Sequence, residues 1–252
     1  LDKEAVLAVL FVLLLILFAG KNGVQAIFSF VITVLSIWKI LVPCYLKGYS
    51  PVWIGIALTA FLTVVILYFV YGIEKRTLVA SMGSLLGVLT TCVLGIVFTD
   101  LFKIHGAVMA NSESLLYSGY ENLDLTAIFM SSIFIGASGA MMDLAVDITA
   151  AVSEVVEKKP EIGWLEAAKS GMNVGRAAMG TMTTTLLLAY SGGCVALLMV
   201  FMAQGTPVDH ILNYKYVAAE VLDTIAGSFG LVTVAPFTAL VAGLILTKKS
   251  EN

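Results

Sequence analysis

The sequence has 252 residues, of which 60% are apolar and only 12% are charged, and its mean hydropathy is +1.00. Because soluble domains carry about 25% charged residues, this composition excludes an ordinary soluble protein. The formal net charge of −3 is small, and no block of Lys and Arg points to a nucleic-acid partner. We therefore expect an integral membrane protein whose main partner is the lipid bilayer.

Apolar stretches long enough to cross ~30 Å of hydrocarbon recur along the whole chain. An open sheet would leave backbone groups unpaired in lipid, and the Leu, Ile and Val runs lack the alternation of a β-barrel. The sequence therefore predicts an all-α membrane protein, a bundle of about seven transmembrane helices forming a single domain over 1–252. The predicted spans are 4–20, 24–46, 51–72, 77–101, 125–147, 172–202 and 217–247.

Two connections between these spans are longer than a turn. Residues 153–170 mix charges of both signs around Pro160. The apolar spacing of Ile162, Leu165 and Ala168 within them predicts an amphipathic helix on the membrane surface. Residues 102–124 have weak periodicity, which indicates a re-entrant or surface segment.

The basic residues are distributed unequally between the two predicted sides of the membrane. With the first segment outside, nine lie on the inner side and four on the outer side, which predicts a cytoplasmic C-terminus. An outside N-terminus in turn predicts an earlier span or an external domain before Leu1 in the natural protein. The inner set is Lys21, Lys75, Arg76, Lys158, Lys159, Lys169, Arg176, Lys248 and Lys249, and the outer set is Lys3, Lys47, Lys103 and Lys215.

Two carboxylates stand near the end of an apolar run, in the segment GAMMDLAVD at 139–147. Asp143 and Asp147 are four residues apart, which on a helix places both on one face. A charge within a span costs ~2.5–3.5 kcal/mol, so such a residue is a functional candidate by default. The simpler alternative is that the span ends near Met142 and that both aspartates are solvated among lipid headgroups. The apolar pattern, which resumes at Leu144, favours the first interpretation for Asp143.

The next apolar helix supplies a basic residue, Arg176, about five residues from its start. We expect Asp143 and Arg176 to lie at comparable depth and to pair. Burial favours the protonated form of a carboxylate, whereas a nearby guanidinium favours the ionised form. A carboxylate under both influences can load and release a proton. Alternatively, Arg176 is an anchor on the inner side whose side chain extends to water.

Further polar residues accompany these charges. Hydroxyl groups at Thr181, Thr183, Thr184 and Thr185 are candidates for proton or water steps, or they bond back to their own helix. Glu220 and Asp223 begin the last predicted span, either as headgroup-level residues or as an outer proton entrance. The sequence contains no metal-ligand spacing and no nucleophile-base arrangement, so we expect no metal, no cofactor and no enzyme activity.

Two segments carry a family resemblance. GASGAMMDLAVDITAAVSEVVEKKPEIGWLEAAKSGMNVGRAAMGTMTTTLLLAYSGG at 136–193 and GSFGLVTVAPFTALVAGLIL at 227–246 resemble the YibE/F family of bacterial membrane proteins. This resemblance implies a location in the bacterial inner membrane.

A more distant likeness concerns the order Gly-x-x-x-Asp at the end of one span, a charged connection, and Arg followed by Thr-Thr in the next span. That order is similar to the SecD/SecF export components and to the RND superfamily of proton-coupled transporters. The similarity implies an RND-like arrangement of five of the spans and a proton-coupled transporter or export factor. Its implied proton relay is Asp143, Arg176, Thr183 and Thr184. Asp147, Thr181, Glu220 and Asp223 are candidate auxiliary residues from their positions in the sequence and not from this similarity.

The sequence leaves open the transported substrate or partner protein, the coupling ion and whether the protein forms a homo-oligomer. A hypothesis from a different class is a non-transporting membrane scaffold. In that case the Asp143 and Arg176 side chains would form a static pair that stabilises the bundle.

Overall fold

A computed structural model describes residues 2–248 of the chain, so that Lys249 of the inner basic set lies outside the described residues. Six helices within that range are long and apolar enough to cross a membrane, and the range contains no strand. The prediction of an all-α membrane protein is confirmed. The helices are α1 (Asp2–Ser36), α2 (Val42–Leu46), α3 (Pro51–Tyr71), α4 (Lys75–Leu101), α5 (Ser112–Tyr117), α6 (Leu125–Lys158), α7 (Trp164–Ala203), α8 (Val208–Asn213) and α9 (Lys215–Leu246).

The predicted count of about seven spans is not confirmed, and the difference lies in α1. The predicted spans 4–20 and 24–46 fall on α1, a π-helical turn at Ile37–Leu41 and α2, which follow one another without a loop. Gly20, however, has the non-helical dihedral angles φ 54° and ψ −126°. Gly23 lies against the carbonyl group of Leu15, so closely that a Cβ added to Gly23 would collide with it. In a straight helix these two residues would be ~12 Å apart. The helix therefore folds back sharply at Gly20.

The amphipathic surface helix predicted for residues 153–170 is wrong. Helix α6 continues to Lys158 and α7 begins at Trp164, so that only a short turn around Pro160 separates them. Ile162 is 7% exposed and packs into the bundle core, and Ala168 is 5% exposed. Ile162 and Ala168 therefore face other helices, whereas Leu165, the third residue of the predicted spacing, is 50% exposed.

Residues 102–124 form a short 3₁₀ turn at Gly106–Val108 and the six-residue helix α5. The turn is held to the start of α6, where the hydroxyl of Thr126 accepts a 3.1 Å hydrogen bond from the backbone N–H of Gly106. Neither of these helical segments is long enough to cross the membrane. The connection lies at one end of the bundle.

Close contacts between glycines and larger residues bring the central helices together. On α4 and α9, a Cβ at Gly87 would collide with Val234, and one at Gly230 would collide with Thr91 and Met141. Helix α7 joins this core through Gly171 and Gly175, which pack against Ile148 and Val152 of α6 and Ala235 and Ala239 of α9. The core is therefore built from α4, α6, α7 and α9, with α3 packed on α6.

The bundle has two charged ends, the Arg76 end and the Lys215 end. At the Arg76 end, α3 and α6 finish, α4 and α7 begin, and exposed ion pairs join Arg76 to Glu74 at 2.7 Å and Lys159 to Glu166 at 3.0 Å. At the Lys215 end, α9 begins and α4 finishes, and the ammonium of Lys215 donates a 2.6 Å hydrogen bond to the carbonyl of Phe102. These charged ends bracket the apolar layer of the bundle.

Candidate functional site

One face of α6 stays open along the middle of the helix. Gly136, Gly139, Asp143 and Asp147 recur at helical spacing, and all four are exposed; we call them the α6 stripe. The opposite face holds Met141, Leu144 and Ile148, which are fully buried. Because the buried face fixes the rotation of the helix, the two carboxylates are directed away from the core.

The depth of the stripe follows from the length of α6. Between Asp124 and Glu154 the only charged residues are Asp143 and Asp147, and that stretch is ~45 Å long. A ~30 Å hydrocarbon layer centred on it would place Asp143 ~6 Å and Asp147 ~12 Å from the midplane. With this centring Asp143 lies at a depth where the bilayer holds little water. Asp147 lies close to the Arg76 end, at the level of Tyr71, where α3 ends.

Arg176 lies on the neighbouring helix, but among residues 2–248 no ion pair joins it to Asp143. Contacts of Ile148 with Gly175, and of Tyr190 with Gly136, set the antiparallel register of α6 and α7. By that register Asp143 is at the level of about residues 178–183 of α7, and Arg176 is closer to the level of Asp147. Arg176 is itself exposed.

The threonines of α7 lie at the level of Asp143, but most of them bond locally. The hydroxyls of Thr181, Thr184 and Thr185 donate to the carbonyls of Ala178, Gly180 and Thr181 of the same helix at 3.0, 2.9 and 2.9 Å. Thr183 is half-buried, and its hydroxyl has no hydrogen bond within the described part of the chain. Thr183 is thus the member of the row whose hydroxyl is free for another partner.

A tyrosine that the sequence analysis missed fixes the stripe from the other side. The phenol of Tyr71, the last residue of α3, donates a 2.8 Å hydrogen bond to the carbonyl of Val146, between the two aspartates. Tyr71 also interacts electrostatically with Asp147 and Arg76. The guanidinium of Arg76, in the first turn of α4, lies beside the same phenol, 5.7 Å from the ring centre.

A second polar group lies toward the Lys215 end. Tyr190 of α7 interacts electrostatically with Asp223 and Glu220 of α9, and the Cys194 thiol lies beside Glu220. The Tyr190 hydroxyl lies beside two glycines, Gly136 and Gly227. A Cβ added to either glycine would be 3.5 Å or 3.6 Å, respectively, from the hydroxyl oxygen. Asp223 is half-buried, and its Oδ1 atom is buried with no hydrogen-bond partner among the described residues.

The structure thus brings Glu220 and Asp223 together with Tyr190, a residue that the sequence analysis did not single out. The available signal was a tyrosine within the apolar run of α7, because a buried phenol usually finds a polar partner. Within residues 2–248, no three His, Cys, Asp or Glu side chains are arranged to hold a metal ion. The carboxyl, phenol and hydroxyl groups of these sites can exchange protons and form hydrogen bonds.

Comparison with known proteins identifies a family. The family described as YibE/F-like protein matches residues 7–248, which is nearly the entire chain. No curated protein and no solved structure matches it. Because this match covers well over half of the sequence, the chain belongs to the YibE/F-like protein family.

Proposed function

We propose that this protein is a proton-coupled transporter or export factor of the bacterial inner membrane, with Asp143 as the proton-carrying residue. The observation that carries the proposal is the exposure of Asp143 on the α6 stripe, about one helical turn farther from the Arg76 end than Asp147. A charge facing lipid there would cost ~2.5–3.5 kcal/mol, so the stripe is expected to face water or another protein surface.

The open geometry of the stripe supports a route for protons along α6. A Cβ on Gly139 would meet no atom within 4 Å, and one on Gly136 would meet only the Tyr190 hydroxyl. Along this open face, Gly136, which lies beside the Tyr190 hydroxyl, is about two helical turns from Asp143. We propose the Asp223 and Glu220 carboxylates as the entrance and Asp143 as the next acceptor.

Arg176 and the threonines have a narrower role in this proposal. Arg176 is exposed and, among residues 2–248, makes no ion pair with Asp143. We propose that Arg176 pairs with a carboxylate of the α6 stripe in a second conformation of the protein. Proton binding drives a conformational change only if the two states bind the proton with different affinity. Pairing of Asp143 or Asp147 with Arg176 in one state alone would provide that difference, and Thr183 would be the free hydroxyl beside it.

The likeness of the Gly-x-x-x-Asp, Arg and Thr-Thr order to SecD/SecF and RND proteins agrees with this proposal. Those likenesses imply the same pairing of a carboxylate in one span with Arg and Thr in the next. We propose the cytoplasmic side for the Arg76 end, where most of the basic residues lie. Another copy of this chain or a partner protein is the proposed cover of the α6 stripe.

The experiment is proton flux in liposomes containing the purified protein under an imposed pH gradient. Asp143→Asn removes the proton-accepting group with little change in size, so we expect flux to fall to the level of empty liposomes. Asp124→Asn is the matched control, because Asp124 caps the first turn of α6 by accepting a 2.9 Å hydrogen bond from the N–H of Ala127. Equal flux in wild type and Asp143→Asn would remove Asp143 from the mechanism.

The scaffold hypothesis is less well supported, since a static Asp143–Arg176 pair would be an ion pair in this structure. Stability distinguishes the two functions. Breaking a buried static pair costs ~3–5 kcal/mol, so a scaffold predicts a large fall in melting temperature for Asp143→Asn and for Arg176→Gln. The transport proposal predicts little change in melting for either variant, together with loss of flux for Asp143→Asn.

A further inference from the structure

An apolar groove runs down the outside of α4 and α9 at the Lys215 end, away from the α6 stripe. It has a volume of about 310 Å³ and is lined only by apolar side chains. Those that form its walls are Leu94, Phe98 and Phe102 on α4 and Val221, Ile225 and Phe229 on α9. Each wall is ~12 Å long, which is most of the ~15 Å depth of one bilayer leaflet.

The mouth of this groove is cationic. The Lys215 ammonium donates a 2.6 Å hydrogen bond to the carbonyl of Phe102, the residue that ends the groove on α4. An ammonium carries three N–H donors, so two of them are left for another acceptor. A second cation, the exposed Lys103, follows Phe102 directly in the chain.

A polar recess adjoins that mouth. It has a volume of about 530 Å³ and is lined by His210, Asn213, Tyr214, Lys215 and Tyr216. Tyrosines of this kind are enriched at the level of lipid headgroups, because one end of the side chain is apolar and the other is polar. The nearby carboxylate of Asp209 lies 3.8 Å from the imidazole of His210. Lys215 therefore stands between an apolar groove below and a polar recess above.

We propose that this combination is a binding site for an anionic phospholipid, with one acyl chain in the groove and the phosphate at Lys215. The apolar walls match an acyl chain, and the two free donors of Lys215 match phosphate oxygens. The recess accommodates the remainder of the headgroup beside Tyr214 and Tyr216. This site goes beyond the proposed transport function, and it does not depend on Asp143.

The test is lipid retention by the full purified chain, measured by native mass spectrometry after addition of phosphatidylglycerol or phosphatidylcholine with the same acyl chains. We expect the wild type to retain phosphatidylglycerol at least about threefold more than phosphatidylcholine. A preference of that size corresponds to the free energy of one partly exposed ion pair. Lys215→Gln should remove this preference, with Lys47→Gln as the matched control at another exposed lysine. Ile225→Trp fills the groove and should lower retention of both lipids, with Val232→Trp as its control at an exposed position of the same helix.

The proposal is overturned by any of three results. The first is an unchanged phosphatidylglycerol preference in Lys215→Gln, a variant of an exposed side chain that leaves the core intact. The second is retention of glycerol phosphate, which has no acyl chains, as strongly as the lipid. The third is a disulfide-linked dimer of Ile225→Cys formed in high yield within the membrane, because a second copy of the chain would then occupy the groove.

Discussion

The phenol of Tyr71 on α3 hydrogen-bonds at 2.8 Å to the carbonyl of Val146 on α6, between Asp143 and Asp147. This bond fixes the end of α3 against the helix that carries both carboxylates. Rigid placement of the stripe therefore depends on α3 as well as on the core helices.

Tyr71→Phe should destabilise the protein by about 0.5–1.5 kcal/mol, the usual net contribution of one hydrogen bond. For a chain of this size that corresponds to a fall in melting temperature of a few degrees. The measurement is thermal unfolding of the purified protein in detergent. Tyr68→Phe is the control, because Tyr68 is 46% exposed. Equal melting of the two variants would show that the Tyr71 bond does not hold α3.

Gly230→Ala should be more damaging, because its Cβ would collide with Thr91 and Met141 and lie 3.1 Å from the carbonyl oxygen of Gly87. Overpacking of this kind costs about 1–3 kcal/mol. Gly192→Ala is the matched control on α7, where the new Cβ meets nothing within 4 Å. Because alanine favours a helix over glycine, that control should be neutral or slightly stabilising. Thermal unfolding would contradict the α4–α9 packing if Gly230→Ala melted at or above wild type.

The fold of α1 at Gly20 predicts the sidedness of the termini. If the arms before and after Gly20 each cross the membrane, single cysteines at Lys3 and Lys248 lie on opposite sides. The measurement is labelling by a membrane-impermeant thiol reagent, with Cys44, Cys92 and Cys194 replaced by Ser. Labelling of both positions from the same side would show that the two arms together make one crossing, because an even number of crossings places both termini on one side.

Much of the fold could be predicted from local sequence. The spans from Pro51 onward agree with α3, α4, α6, α7 and α9, because long uncharged apolar runs have few alternatives in a membrane. The failed prediction for residues 153–170 has a physical cause. Ile162 and Ala168 have the spacing of an amphipathic surface helix, but the same spacing also suits residues buried against neighbouring helices.

The candidate site could be predicted only within one helix. The common face of Asp143 and Asp147 follows from their spacing of four, and the structure keeps that face open. The packing of α7 against α6 sets the level of Arg176 relative to Asp147. Its packing against α9 brings Tyr190 near Asp223. Such contacts between helices are set by tertiary packing, so the spacing of residues along the chain does not contain them.

The central claim is that Asp143 gains and loses a proton within the membrane. Its most direct test is infrared difference spectroscopy of the protein in lipid, recorded as the pH on one side is lowered. We expect a C=O band of a protonated carboxylic acid that appears in wild type and in Asp124→Asn but is missing in Asp143→Asn. The same band at full intensity in Asp143→Asn would contradict the account, because another group would then carry the proton.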